Sequence, residues 1–184
     1  MNPRKQFPDA ISHFASPAIG ITIIYEDLAT GLRAKRFSDM LIASLGAEYA
    51  SRPACWRIEL IDLPEVAVQI ARDAAASEFV IFSLRGNTSL SIATRVWIEA
   101  WLASADSESA SLVALFDPER IRRGPAEGVR YYLRHAAAEA SVAFFAHCVL
   151  APCKAAIDLP MSDKRAAITK RRQYPQNRIV KFFP

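Results

Sequence analysis

Apolar runs and amphipathic stretches alternate along the chain. Five short runs are rich in β-branched and aromatic residues, a composition that is typical of strands. Between them, apolar residues recur at the three- and four-residue spacing of an amphipathic helix. The strands are expected at residues 19–25, 56–60, 79–82, 112–116 and 142–145, and the helices at residues 37–45, 64–74, 92–102 and 129–140. The pattern therefore predicts a regular succession of strand and helix.

Strict alternation of strand and helix predicts an α/β domain of three layers, a doubly wound parallel sheet with helices on both faces. The first, third and fourth strands are almost wholly apolar, so they are expected in the interior of the sheet. Residues 56–60 alternate apolar and charged side chains, which favours an edge position with one solvated face. These patterns favour the flavodoxin-like strand order 2-1-3-4-5 over the order 3-2-1-4-5, which would bury the second strand more deeply.

The chain divides into three parts by composition. Residues 1–17 contain three prolines and are expected to form an irregular arm, and residues 18–150 are expected to form the α/β domain. Residues 151–184 form a basic extension, because residues 154–184 carry eight Lys and Arg against two Asp, while the preceding chain carries 15 against 17. The apolar residues 179–183 at its end are expected to dock on a hydrophobic groove of their own domain or of a neighbouring subunit. We therefore expect a homo-oligomer or a complex with a protein partner.

Composition also narrows the compartment and the partners. No apolar run is long enough to cross a bilayer, no signal-peptide pattern is present, and the three cysteines lack a metal-binding spacing. We therefore expect a cytoplasmic protein without membrane contact. The basic clusters at residues 164–165 and 170–172 have no helix-turn-helix or aromatic platform beside them, so nucleic-acid binding is not expected. Phosphate-loop, dinucleotide-binding and nucleophile-elbow motifs are absent.

The predicted sheet also indicates where a small-molecule ligand would bind. In open parallel sheets, ligands bind outside the carboxyl ends of the strands, at the point where the strand order reverses. For the order 2-1-3-4-5, this switch point lies between the first and third strands. The candidate residues there are Glu26, Asp27, Thr30, Gly31 and Arg33 after the first strand, Ser83, Arg85, Gly86, Asn87 and Ser89 after the third, and Asp117 after the fourth.

Two short stretches at this switch point carry a resemblance. Residues 28–33 read Leu-Ala-Thr-Gly-Leu-Arg, and residues 87–90 read Asn-Thr-Ser-Leu, ahead of a helix containing Ile-Glu-Ala-Trp-Leu at 98–102. The chain resembles flavodoxin-like proteins here, especially the FMN-dependent NAD(P)H and quinone reductases, and it shares their layout over roughly residues 19–148. In that family the loop after the first strand wraps the FMN phosphate. The resemblance implies FMN as cofactor, with its phosphate at Thr30, Gly31 and Arg33 and its isoalloxazine ring flanked by Ser83, Arg85, Gly86, Asn87 and Ser89.

Two carboxylates depart from the family pattern. Glu26 and Asp27 lie beside the expected phosphate loop, where negative charge opposes a phosphate dianion. Arg33 or Arg85 would offset these acids, or would form a structural ion pair with them. The sequence therefore leaves two functions open, as well as the question of whether the chain is an enzyme. One is a binding or protein-interaction module without redox chemistry, and the other is a small FMN-dependent NAD(P)H or quinone oxidoreductase.

The acidic pair also resembles that of response-regulator receiver domains, which share the strand order and hold Mg²⁺ with such a pair. A receiver also needs an aspartate at the end of the third strand and a lysine after the fifth. Residues 82–85 contain no carboxylate and residues 146–148 contain no lysine. Phosphoacceptor chemistry is therefore not expected, and no metal is assigned, although a receiver-like domain without that chemistry stays open. Asp117 joins Glu26 and Asp27 in a candidate polar cluster at the strand ends.

Overall fold

The strands form one parallel sheet in the order predicted from the sequence. The computed structural model describes residues 18–86, 89–117 and 125–148, and the predicted arm and the basic extension lie outside this range. The sheet order is β2-β1-β3-β4-β5, with every neighbouring pair parallel. The strands are β1 (Ile21–Tyr25), β2 (Ala54–Arg57), β3 (Phe79–Leu84), β4 (Ser111–Phe116) and β5 (Ala143–Cys148). The helices are α1 (Leu28–Leu45), α2 (Pro64–Ala75), α3 (Ile92–Ser104) and α4 (Pro125–Glu139).

The second strand is shorter than the sequence pattern predicted. It ends at Arg57, and a 3₁₀-helix follows over Ile58–Asp62. The alternation of apolar and charged residues in this segment was therefore read too far as a strand. Its edge position was predicted correctly, since β2 pairs only with β1 in the described sheet.

One face of the sheet is covered by three helices. Apolar residues of β3 and β4 that point to this face pack against α2, α3 and α4. Trp97 and Trp101 of α3 are 2% and 0% exposed, and their rings stack with centroids 6.4 Å apart. The Trp97 indole Nε1–H donates to the Ala67 carbonyl at 3.1 Å, which satisfies one polar group that burial would otherwise leave unpaired. Burying each such side chain contributes roughly 2–3 kcal/mol.

The other face is packed against α1. Phe37, Leu41 and Leu45 recur at helical spacing, and all three are buried against strand side chains of this face. The helix stops where the sequence predicted, because Gly46 follows Leu45 with a φ of 135°, a backbone conformation that glycine adopts readily. Among the described residues, no helix is long and apolar enough to cross a membrane.

Buried polar groups tie the amino end of the sheet together. Glu78, which is 7% exposed, accepts a hydrogen bond from the Gly20 amide at 2.6 Å. The hydroxyls of Thr22 and Ser77 lie 2.9 Å apart, and that of Ser77 donates to the Asp73 carbonyl at 2.8 Å. A Cβ on Gly20 would lie 2.6 Å from the carbonyl oxygen of Ala76. The chain segments are thus so close at this end that only glycine fits.

Candidate functional site

The chain segments that follow β1 and β3 meet at the carboxyl edge of the sheet. Tyr25 and Ser83 are register partners in the parallel pair, so the two strands end side by side. The Glu26 amide donates to the Ser83 carbonyl at 3.3 Å, which continues the contact one residue beyond β1. The polar residues predicted after these two strands therefore lie together, as expected for a switch point.

Asp27 caps the amino terminus of α1. Its carboxylate accepts a hydrogen bond from the Thr30 amide at 2.9 Å, and the Thr30 hydroxyl accepts one from the Asp27 amide at 2.8 Å. This reciprocal capping box satisfies two helix-terminal donors. Asp27 also forms an ion pair with Arg85. The hydrogen bond from the Thr30 amide is the main cause that lowers the pKa of Asp27 below its ordinary value, and Arg85 adds to it.

Arg33 lies across the ends of two strands. Its Nε donates to the Ser83 hydroxyl at 3.1 Å, and its Nη2 donates to the carbonyls of Leu84 at 2.7 Å and Leu115 at 3.2 Å. Ser83 is fully buried, and its hydroxyl donates in turn to the Thr30 carbonyl at 2.8 Å. The guanidinium therefore links α1, β3 and β4 and places a positive charge at the switch point.

The loop after β3 is held against the acidic pair. The Arg85 amide donates to Glu26 Oε2 at 2.6 Å, while the Arg85 side chain pairs with Asp27. Gly86 follows with a φ of 81°, in the left-handed region where a side chain would be strained. Ser89 is exposed beyond this turn, and Asn87 lies outside the described residues.

Asp117 follows β4 at the same edge and is half-buried. The sequence left open whether it joins Glu26 and Asp27 in a cation site. Within residues 18–86, 89–117 and 125–148, no group of three or more His, Cys, Asp or Glu side chains is placed to hold a metal ion. In the described chain, the contacts of Glu26 and Asp27 given above are with the main chain and with arginine.

The comparison with solved structures rests on this architecture. No protein-family model and no curated protein sequence matches the chain. An oxidoreductase from Corynebacterium diphtheriae matches with a TM-score of 0.51 and 14% identity, over 83% of this chain and 93% of that one. The fold is flavodoxin-like. A metal-soaked flavodiiron core from Synechocystis also aligns, with a TM-score of 0.43 and 13% identity over 89% of this chain and 38% of its own.

A likeness at 14% identity extends to the flavodoxin-like fold and not to the chemistry of the site. The cofactor that the sequence resemblance implied must therefore be tested on the residues themselves. A phosphate at the amino terminus of α1 would need main-chain and hydroxyl donors that are free to turn towards it. The position of the Asp27 carboxylate is where such a group would accept.

The expected phosphate residues are engaged with the protein. The Thr30 amide bonds to Asp27, and its hydroxyl is 3% exposed and donates to the Asp27 carbonyl at 2.8 Å. A Cβ on Gly31 would lie 3.0 Å from the ring of Tyr25, so this glycine makes room for an aromatic side chain. Arg33 is bound to strand-end carbonyls. In this arrangement the residues do not form a phosphate cradle, and the Asp27 carboxylate would have to move away to create one.

Sequence reasoning found the position of this cluster but not its bonding. Thr30, Arg33, Ser83 and Arg85 were each singled out, and all four lie at the switch point. The carbonyls of Leu84 and Leu115, which accept from Arg33, carry no side-chain signal. The capping role of Asp27 does have a signal, because an aspartate three residues before a threonine at the start of a helix is a capping pattern.

Proposed function

We propose that this chain is a flavodoxin-like binding or protein-interaction module that works without a redox cofactor. The observation that carries the proposal is the Asp27 carboxylate at the amino terminus of α1. It accepts the Thr30 amide and pairs with Arg85, so a negative side chain already takes the position that favours an anion. A flavin phosphate would have to displace it against charge repulsion.

The bonding of Arg33 supports the same proposal. Its guanidinium satisfies two strand-end carbonyls and the buried Ser83 hydroxyl, so turning it towards a ligand would leave these groups without a partner. An unpaired buried polar group costs about 1–3 kcal/mol. The cation at the switch point therefore serves to hold the strand ends together.

An exposed apolar surface near the same edge suits a protein partner. Ile92 and Val96 lie one turn apart on α3, with exposed fractions of 83% and 47%, and Leu63 is also exposed. The Ser91 hydroxyl donates to Asp62 at 2.9 Å, so the starts of α2 and α3 are neighbours. Contiguous exposed apolar side chains are typical of interaction surfaces. We assign this face to a protein partner or a second copy of the chain.

A small FMN-dependent NAD(P)H or quinone oxidoreductase is the second candidate. It is supported by the fold shared with an oxidoreductase, and by the turn at Gly86 with Ser89 exposed beyond it. In that case the flavin would supply the redox chemistry, and the chain would supply binding and orientation. This candidate requires the capping carboxylate of Asp27 to give way to the flavin phosphate.

An FMN titration of the purified full chain separates the two candidates. We expect no quenching of flavin fluorescence and no rise in melting temperature, because Asp27 excludes the phosphate. Replacing Asp27→Ser keeps a capping oxygen and removes the charge, so this variant should gain measurable affinity for FMN or inorganic phosphate.

The matched control is Asp39→Ser, which removes the same charge from α1 at its exposed pair with Lys35. It should bind neither ligand. Tight FMN binding by the unaltered chain, weakened by Arg85→Gln, would instead establish the oxidoreductase and end the proposal of a cofactor-free module.

A further inference from the structure

The two faces of the sheet are unequally covered in the part of the chain that the structure describes. Three helices, α2, α3 and α4, pack on one face, and α1 alone packs on the other, over β1 and β3. A helix with its side chains is about 10 Å wide, and neighbouring strands are about 4.8 Å apart. One helix therefore covers about two strands, and β4 and β5 extend beyond α1 on this face.

Residues of β4 and β5 on the α1 face are nonetheless buried. Val113 and Leu115 of β4 are both 0% exposed, and so is Ser111 at the start of the same strand. Phe145 lies on the same face of β5, the edge strand, and is half-buried. An apolar layer over these strands is needed to keep such side chains from water.

We propose that residues 149–184 pack on this face of their own domain, over β4 and β5. The segment begins directly after Cys148, the register partner of Phe116 at the end of β4. Because all strands are parallel, the chain leaves β5 at the carboxyl edge and must cross a face of the sheet to be packed. The face opposite α1 already carries three helices, so the α1 face is the one with room.

The length and composition of the segment fit this position. A strand of six residues is about 20 Å long, and a helix of about 14 residues spans the same distance. The segment has 36 residues and contains an apolar group near its start and another at its end. These residues are Val149, Leu150, Ile157, Leu159, Ile179, Val180, Phe182 and Phe183.

The N-terminal arm fits this position less well. It joins the described domain at Ala18, which bridges to Ala50 beside β2, at the opposite edge of the sheet. Residues 1–17 are also shorter and contain fewer large apolar side chains than residues 149–184. The occupant to which we commit is therefore the C-terminal segment.

Amide hydrogen exchange of the full chain tests the proposal. We expect slow exchange in parts of residues 149–184 and a monomer mass by light scattering at concentrations where this protection is complete. Phe144 and Phe145 provide a matched pair, because they are neighbours on β5, are both half-buried and face opposite sides of the sheet. Phe145→Ser should strongly reduce the protection of the segment, and Phe144→Ser should leave it in place.

A pair of truncations gives an independent readout. A chain that ends at Cys148 should lose its cooperative melting transition or melt well below the full chain, whereas removal of residues 1–17 should leave the melting temperature close to that of the full chain. Coil-like exchange throughout residues 149–184 would overturn the proposal, as would equal protection in the two phenylalanine variants. Protection that appears only in a dimer would place the segment on a second copy and would also overturn it.

Discussion

The two ends of the sheet are both tied by polar side chains, but they differ in charge and in access to water. At the amino end, Glu78 and the hydroxyls of Thr22 and Ser77 are almost fully buried. At the carboxyl end, the side chains of Arg85 and Asp27 pair while they are 49% and 29% exposed. Satisfied hydrogen bonds therefore do not distinguish a structural network from a ligand site. Access does, because a ligand can compete with a protein partner only where it can reach the groups.

The amino end should be the more sensitive to a change of one methyl group. A Cβ on Gly20 would meet the backbone of two residues, at 2.6 Å from the Ala76 oxygen and 2.9 Å from the Ser77 Cα. Backbone atoms cannot rotate away as a side chain can, so Gly20→Ala should lower the free energy of unfolding by about 1–3 kcal/mol. Urea denaturation followed by circular dichroism measures this loss.

Gly128→Ala is the control for this change. Gly128 is exposed on α4, and a Cβ there would have no neighbouring atom within 4 Å. Because alanine is the better helix former, this variant should be more stable than the unaltered chain by about 0.5–1 kcal/mol. Similar stability of the two alanine variants would show that the close approach at Gly20 is not a constraint.

The carboxyl end should respond next, through Arg33. Arg33→Met keeps most of the aliphatic stem but removes the donors to the Ser83 hydroxyl and to the carbonyls of Leu84 and Leu115. Because the site is half-exposed, water can replace part of this bonding, and we expect a loss of about 1–2 kcal/mol of unfolding free energy.

Arg36→Met on the exposed side of α1 is the matched control. It should change the stability by less than about 0.5 kcal/mol, as surface substitutions generally do. If both methionine variants lose the same stability, the effect belongs to the positive charge of α1 and not to the strand-end contacts of Arg33.

The sequence predicted the sheet more fully than the site, and the reason is physical. Strand order could be read because burial on one face or on two leaves a pattern in the side chains, as the alternation at residues 56–60 does. The end of that strand could not, because the 3₁₀-helix from Ile58 continues a similar pattern.

At the site, sequence predicts which side chains are near but not what they bond to. Asp27 was interpreted as a charge that opposes phosphate, whereas its main contact is the Thr30 amide. Arg33 was assigned to a cofactor, and its partners include two main-chain carbonyls that any residue type could supply. Bonding to the main chain leaves no trace in the residue types, so this part of the site required the structure.

The smallest expected effect is a dependence of stability on pH that belongs to the carboxyl end. The Thr30 amide holds the pKa of Asp27 in the folded chain below its unfolded value, which is about 3.9. A carboxyl group of this kind stabilises the fold above the unfolded pKa, and the stabilisation is lost as the pH falls through the folded pKa. Asp27→Asn keeps an oxygen for the cap but does not titrate. The unaltered chain should therefore be more stable than this variant near pH 7, and the difference should shrink as the pH falls below about 4. Urea denaturation across this range, with Asp39→Asn as the charge-matched reference, measures the difference. A constant difference would mean that the ionised carboxylate of Asp27 adds nothing to the cap, and the contrast between the two ends would then rest on Arg33.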